Sequence, residues 1–248
     1  SQVNFLTTIA TRVRGMKPDI LFDNCVFIPN NEYMVKFFGK EIRDADFDCY
    51  YSGKCKWNNY LIFPIYDIVD NIVGLAGFQP VNKARNHEGD YEAEAYKVSS
   101  SRVLDKRYHM FTLKGILKKG IKDGYIVLTD GNFDTISLVE NGINACALLS
   151  SYLSEEQIAI LKLIDKVYLA VDNDSAGLKL ARWFKQAIPS GRLIKFNKFK
   201  DIDDLLKSEY RDTFLAEFNE NLQCEVPIDI VIRKENRHHL GWFKLQIK

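Results

Sequence analysis

Paired cysteines, membrane-length apolar runs and an excess of one sign of charge are all missing from this 248-residue sequence. The five cysteines, Cys25, Cys49, Cys55, Cys146 and Cys224, are odd in number and widely spaced, and none forms a CxxC pair. That excludes the dense disulfide framework of a small secreted domain and the ligand spacing of a zinc ribbon. Cys49 and Cys55 flank Tyr50, Tyr51 and Gly53, which fits the two sides of a small hairpin but is no metal signature. Four of the five read as small apolar fillers. No apolar run reaches the roughly 18 to 20 residues that span a bilayer. A signal peptide's apolar stretch and small-residue cleavage site are also absent. The chain begins at Ser1 rather than Met, as an excised fragment or a processed start does. The expectation is a cytoplasmic protein with no membrane partner. Lys plus Arg total 34 against 33 for Asp plus Glu, a net charge of +1. Overall charge therefore gives no support for nucleic-acid binding, although an acidic site and a basic groove cancel in such a sum. There are no internal repeats and no long low-complexity segment.

What is present is ordinary globular material, 46% hydrophobic and 27% charged, in a chain long enough for one or two domains. The first stretch mixes aromatic and apolar residues with turn signals at Pro18, Pro29-Asn30-Asn31, Gly39 and Ser52-Gly53. It reads as short strands and one or two short helices. Residues 60–66 and 72–78 are apolar runs split by a polar turn, which predicts a hairpin. Residues 79–101 are polar without a sustained period and read as a loop or extended arm. A helix is expected over residues 110–119, stopped near Gly120 and Gly124.

From residue 125 the pattern changes to strands alternating with helices. Strands are expected at 125–128, 145–149, 166–171 and 193–196. Between them lie helices at 133–140, from Ser154-Glu155-Glu156-Gln157 (a capping-box start) to 163, and at 176–187. This alternation predicts an α/β fold, a parallel sheet with helices on both faces. Beyond it, residues 211–222 place Phe214, Leu215, Phe218 and Leu222 on one helical face. Ile228, Ile230 and Ile232 then alternate before a polar turn and an apolar stretch at 242–247, which reads as a hairpin. The division expected is a mixed α+β part over 1–119, the parallel-sheet domain over 120–207, and a small helix-plus-hairpin tail over 208–248.

Three acidic clusters follow strands of the expected sheet: Asp130-Gly131-Asn132-Phe133-Asp134, Asp172-Asn173-Asp174-Ser175-Ala176-Gly177, and Lys200-Asp201-Ile202-Asp203-Asp204. In a parallel sheet the carboxyl ends of the strands share one edge, where ligands bind. Carboxylates distant in sequence can therefore converge there. Asp172 and Asp174, two apart, lie on one side of an extended backbone. Crowded carboxylates repel and call for a cation, and Mg²⁺ or Mn²⁺, which take hard oxygen ligands, answer that need. Such ions clamp phosphate oxygens and acidify a hydroxyl. The plainer reading of any one cluster is a turn or a helix cap, since Asp, Asn and Gly are common in both. Three clusters at corresponding positions of successive β-α units carry the case together.

These residues resemble a known family. Asp130-Gly131-Asn132-Phe133-Asp134 resembles the TOPRIM motif of an acid, Gly, two variable positions and Asp. Asp172-Asn173-Asp174-Ser175-Ala176-Gly177 is similar to its DxDxAG motif, and Lys200-Asp201-Ile202-Asp203-Asp204-Leu205-Leu206 looks like the KDPDxLL stretch of DnaG-type primases. Leu153-Ser154-Glu155-Glu156-Gln157 matches the helix start that primases place after the second TOPRIM strand. Upstream, Phe63-Pro64-Ile65 with Asp67, and Ile72-Val73-Gly74-Leu75-Ala76-Gly77, resemble the primase hairpin. Residues 96–100 and 106–113 look like the basic strand and helix after it. The resemblance covers residues 61–206. It departs from the family at Asp130, where Glu is usual, at Phe78, where Arg is usual, and at Ile202, where Pro is usual. A zinc module before the core and a helical bundle after it are not seen, which fits a divergent phage or mobile-element primase or its polymerase fragment.

The resemblance implies a DNA-directed RNA polymerase that makes short primers from ribonucleoside triphosphates on single-stranded DNA, with a replicative helicase as partner, in a bacterial or phage-infected cell. It implies Asp130, Asp172, Asp174, Asp201 and Asp203 as holders of Mg²⁺ or Mn²⁺, with Asp130, Asp172 and Asp174 at the reacting phosphate. Gly131, Asp134, Gly177 and Lys200 support them, Asp134 either as a ligand or by bonding backbone in its loop. Asp204 reads as a helix cap. Lys83, Arg85, Lys97, Arg102, Lys106 and Arg107 line a path for template or nucleotide phosphate, or form a solvated charged face. Tyr96 and Tyr108 are candidates for base stacking or for burial. Two alternatives remain open: a TOPRIM nuclease using the same ions, and a catalytically weak module that binds DNA or a helicase.

Overall fold

The computed structural model describes residues 26–28, 60–81, 95–100, 104–172, 174–197 and 199–233. Cys25, Cys49, Cys55 and residues 242–247 fall outside these. The described chain builds two sheets. The first is antiparallel, in the order β1 (Val26–Ile28), β2 (Tyr60–Tyr66), β3 (Ile72–Val81), β4 (Ala95–Ser100). The expected hairpin is β2–β3. Its turn is closed by the Asp67 carboxylate, which accepts the N–H groups of Val69 at 2.9 Å and Asn71 at 2.8 Å. The stretch read as a loop over 79–101 is partly strand, since β3 runs on to Val81 and pairs with β4.

The helix expected at 110–119 begins later, as α1 (Ile116–Asp123). Residues 110–113 stay extended because Phe111 and Ala147 exchange both backbone hydrogen bonds, at 2.9 and 2.8 Å. Gly115, with φ at 77°, then turns the chain into the helix, a conformation that suits glycine. Its N–H donates to the Asp70 carboxylate at 2.7 Å, which ties the hairpin turn to the helix start.

The second sheet is wholly parallel, in the order β6-β5-β7-β8-β9. Its strands are β5 (Tyr125–Thr129), β6 (Ala145–Ala147), β7 (Lys166–Ala170), β8 (Arg192–Asn197) and β9 (Ile230–Arg233). Between them run α2 (Asn132–Glu140), α3 (Glu155–Leu161), α4 (Ser175–Ala187), α5 (Ile202–Lys207) and α6 (Arg211–Gln223). The period-2 alternation of the strands divides the core. Ile126, Leu128, Val167 and Leu169 pack with α1, α3 and α4 residues such as Leu117, Leu161, Leu180 and Phe184. Val127, Tyr168, Ala170, Ile194 and Phe196 pack on the other face with Leu138, Leu205, Phe214 and Phe218 of α2, α5 and α6. Helices cover both faces, as the alternation predicts.

β9 joins the parallel sheet as its fifth strand, with Ile230 opposite Ile194 and Ile232 opposite Phe196; the second arm of the expected hairpin, residues 242–247, lies outside the described residues. Ile230 and Ile232 are buried in the α6-side core, and that burial draws the strand onto the sheet.

The two sheets meet through a third cluster, in which Phe63, Ile65 and Ala76 of the hairpin pack against Phe111, Leu113, Phe133 and Ile136. Phe63 stands edge-on to Phe111 at 5.7 Å and to Phe133 at 6.2 Å. Phe133 opens α2, so the hairpin braces the turn that carries the first acidic cluster. Of the described cysteines, Cys146 lies in the core as a filler and Cys224 is exposed. Among the described residues no helix is long and apolar enough to cross a membrane.

Candidate metal centre

The strand order reverses direction at β5, with β6 on one side and β7 on the other. The helix after β5 packs on one face of the sheet and the helix after β7 on the opposite face. A crevice therefore opens beyond the carboxyl ends of β5 and β7, the usual ligand position of such sheets. Asp130 follows β5 directly, and Asp172 lies two residues past the end of β7.

Asp130, Asp134 and Asp172 each place a carboxylate oxygen within 4.8 Å of the other two. Two glycines allow them to approach. At Gly131 a Cβ would stand 2.1 Å from Oδ2 of Asp134, so only glycine lets that carboxylate fold back over the loop. At Gly177 a Cβ would stand 2.0 Å from the carbonyl oxygen of Asp172, a backbone atom that cannot swing aside. Gly177 thus allows the first turn of α4 to sit against the end of β7. Thr129 fixes the same loop from below, its Oγ1 donating to the Gly131 carbonyl at 2.9 Å and lying 2.8 Å from Thr135 Oγ1. Both threonines are fully buried. Nothing in their sequence positions distinguishes them from ordinary strand and helix residues.

The electrostatics follow from the crowding. Burial pushes the Asp134 carboxyl up to about 8, with the charges of Asp201, Asp130, Asp203 and Asp172 adding to it. Asp172 is pushed up to about 6, first by burial and then by Asp130, Asp201 and Asp174, while Lys200 pulls the other way. Asp130 keeps an exposed edge, yet protein packed about its carboxyl raises it as well, against the opposing pull of the Asp130 and Asp172 backbone N–H groups. Such carboxylates resist carrying charge together unless a cation joins them.

The remaining expected acids stand around these three. Asp174 caps α4, its Oδ1 accepting the Gly177 N–H at 2.8 Å. Asp201 caps α5, its Oδ1 accepting the Asp204 N–H at 2.7 Å. Capping was expected of Asp204 and belongs to Asp201, while Asp204 accepts the Lys200 N–H at 3.4 Å. Lys200 is exposed and pairs loosely with Asp201 at 3.6 Å. Ile202, in the position where the resembling family has Pro, is the first residue of α5 and is buried at 1% exposure. Pro suits that position for its fixed φ; here a core side chain takes it. Asp203 is buried, with its carboxylate engaged by Ser137 and Lys207 and outside the group of three.

The expected basic residues divide unevenly. Lys83, Arg85 and Arg102 lie outside the described residues, and Lys97 stands on β4 opposite Gln79 of β3. Lys106 and Arg107 form an exposed turn held by α3, whose Gln157 side chain donates to the carbonyls of Lys106 at 2.9 Å and His109 at 3.0 Å. Ser154, the N-cap of that helix, donates to the Arg107 carbonyl. The Arg107 guanidinium binds Asp105 at 2.7 Å and lies over the Tyr108 ring at 5.5 Å, so its charge is largely answered within the turn. Tyr108 is about half exposed rather than buried.

Comparison with known proteins places this geometry. Residues 127–206 match the Toprim-like family. Distant homologues of the chain are bacterial DNA primases. The DNA primase of Campylobacter jejuni is 34% identical over 124 residues, covering 49% of this chain and 19% of that protein. That of Buchnera aphidicola subsp. Baizongia pistaciae is 28% identical over 169 residues, 64% of this chain and 28% of the relative. The chain thus spans about a quarter of the length of these curated relatives. Among solved structures, the zinc-binding and RNA polymerase domains of the Aquifex aeolicus primase superpose with a TM-score of 0.66 at 20% identity, over 88% of this chain and 55% of that one. The DnaG primase catalytic domain bound to single-stranded DNA gives 0.64 at 18% identity, over 89% and 73%. The Toprim fold read from the motifs is borne out, and its acidic cluster has the donors of a divalent-metal site.

Proposed function

We propose that the chain carries the polymerising core of a DNA primase, which joins ribonucleoside triphosphates into short RNA primers on single-stranded DNA with Mg²⁺ or Mn²⁺ at the acidic cluster. The observation that carries this reading is the convergence of Asp130, Asp134 and Asp172 from two neighbouring strand ends. All the donors are hard carboxylate oxygens, without His or Cys, which suits Mg²⁺ or Mn²⁺ better than softer metals. Asp130, Asp134 and Asp172 hold the ion, and Asp174 and Asp201, each used as a helix cap, add negative charge around it. An ion bound there would supply neutralisation of phosphate oxygens and a lowered pKa for the attacking hydroxyl. In primer growth the 3′-oxygen attacks the α-phosphorus of the incoming triphosphate and pyrophosphate leaves. The fixed carboxylates keep this geometry from reorganising as charge develops. Asp130, one methylene shorter than the Glu usual at this motif, reaches the other two because Gly131 lets Asp134 close over the loop.

Primase homologues, and the solved primase domain bound to single-stranded DNA, support the choice of template. The template path then uses Lys97 and Lys106 together with Lys83, Arg85 and Arg102, while Arg107 serves more as a stacked brace for Tyr108. A replicative helicase is the partner that would present such a template. The test is synthesis on single-stranded DNA with labelled ribonucleotides and Mg²⁺ or Mn²⁺, comparing the chain with Asp172→Ala. Labelled oligonucleotides made by the first and lost in the second are expected. A cut template would instead mean a nuclease, and an intact, bound template without product would mean a binding module.

A further inference from the structure

Of the acids in the third cluster, only Asp203 is buried, at 5% exposure. Both of its carboxylate oxygens are engaged. Ser137, itself buried on α2, donates to Oδ1, and the Lys207 ammonium, one turn on in α5, donates to Oδ2 at 2.5 Å. The backbone of the same residue does something different, for its N–H donates to Oδ1 of Asp134 at 3.3 Å. The side chain of Asp203 thus goes into the contact between α2 and α5 while its main chain meets the acidic cluster.

This arrangement is costly for stability alone. The buried Asp203 carboxylate loses its water while the Lys207 ammonium stays partly exposed, at 35%, so the pair gains little over apolar contact at the same place. Leu205 and Leu206 already supply apolar contact for α5. What the polar contact adds is register. α5 is only six residues long, and its cap, Asp201, is the neighbour whose charge weighs most on Asp134. A slip of α5 along α2 would move Asp201 and the Asp203 N–H together.

We propose that Asp203 is a positioning residue and not a ligand of the ion: clamped by Ser137 and Lys207, it sets α5 against α2 so that its backbone N–H orients Asp134 and Asp201 faces the cluster. The inference rests on the metal-binding reading given above. It separates Asp203 from Asp201 although the two stand in one short motif, and it gives Ser137 and Lys207 a part in the metal centre without contact to the ion.

The test is Mn²⁺ binding to the full chain, followed by the electron paramagnetic resonance signal of free and bound Mn²⁺, with thermal melts of every variant. Asp203→Asn keeps an oxygen for Ser137 and the same backbone N–H, and gives up only the charge that meets Lys207. It should bind within ~3-fold of the wild type, whereas Ser137→Ala and Asp203→Ala should weaken binding by ~10-fold, the lower end of the effect of groups that orient metal ligands. The bound-Mn²⁺ spectrum of Asp203→Asn should match the wild type, because the set of coordinating atoms is unchanged. If Asp203→Ala does not fold, Ser137→Ala against Asp203→Asn decides. Loss of binding in Asp203→Asn equal to that in an Asp172→Ala control would make Asp203 a ligand and overturn the proposal, leaving the metal reading intact. Wild-type binding by Ser137→Ala would overturn it as well. Wild-type binding by Asp172→Ala would remove the metal reading, and the proposal with it.

Discussion

Asp134 carries the strongest consequence of folding for any single residue of the site. Its carboxyl is raised to about 8 and that of Asp172 to about 6, against about 3.9 for an unperturbed Asp. Between these values the native chain holds protons that the unfolded chain has released, so raising the pH favours unfolding. Without metal, the stability associated with these groups is complete below about pH 4. It is lost as pH rises through about 6 and on to about 8. On the metal-binding reading a divalent ion should reverse the trend, because it would bind the ionised carboxylates. Melting in EDTA from pH 5 to 8 should therefore show a falling Tm, by about 2 to 4 °C for each kcal/mol lost. Added Mg²⁺ should raise the Tm more at pH 8 than at pH 5. A flat metal-free profile would mean that the three carboxylates do not crowd as described.

At the scale of elements, the hairpin β2–β3 is the brace of the site. Phe63 is fully buried between Phe111 and Phe133, and Phe133 precedes Asp134 in the first turn of α2. Phe63→Ala should cost about 3 to 5 kcal/mol, the usual range for a buried aromatic truncated to Ala, read from the denaturant midpoint. A loss near zero would mean that the hairpin only rests against α2. These elements also show what a sequence can and cannot disclose. The hairpin was legible because two apolar runs flank a turn rich in Asp and Asn. The helix expected at 110–119 was not, because Met110, Phe111 and Leu113 fit a helical face as well as a strand, and only the distant Ala147 decides. The alternation of Ile228, Ile230 and Ile232 gave the faces of β9 but not its partner, since a parallel neighbour 36 positions away leaves no local signal.

For the whole molecule, the parallel sheet and the convergence of Asp130 and Asp172 followed from strand runs that end in acids, because one edge of such a sheet gathers them. The identity of the third member did not follow in the same way. Asp134 joins the cluster and Asp203 leaves it through contacts of α2 with α5, 66 and 69 residues apart in sequence. Thr129 and Thr135 hold the loop through a bond between buried hydroxyls that no spacing announces. The site is therefore a product of two levels: motifs bring the acids to one edge, and packing selects which of them face each other.

On the function proposed above, Asp130, Asp134 and Asp172 form one divalent-metal site. The most direct measurement is anomalous diffraction from crystals soaked in Mn²⁺. A peak is expected within direct carboxylate-oxygen coordination distance of all three residues, about 2.1 Å for a small hard ion of this kind. The peak should be absent from Asp172→Ala. Saturating Mn²⁺ with no peak at the carboxyl ends of β5 and β7, or one bound only by Asp201 and Asp203, would contradict it.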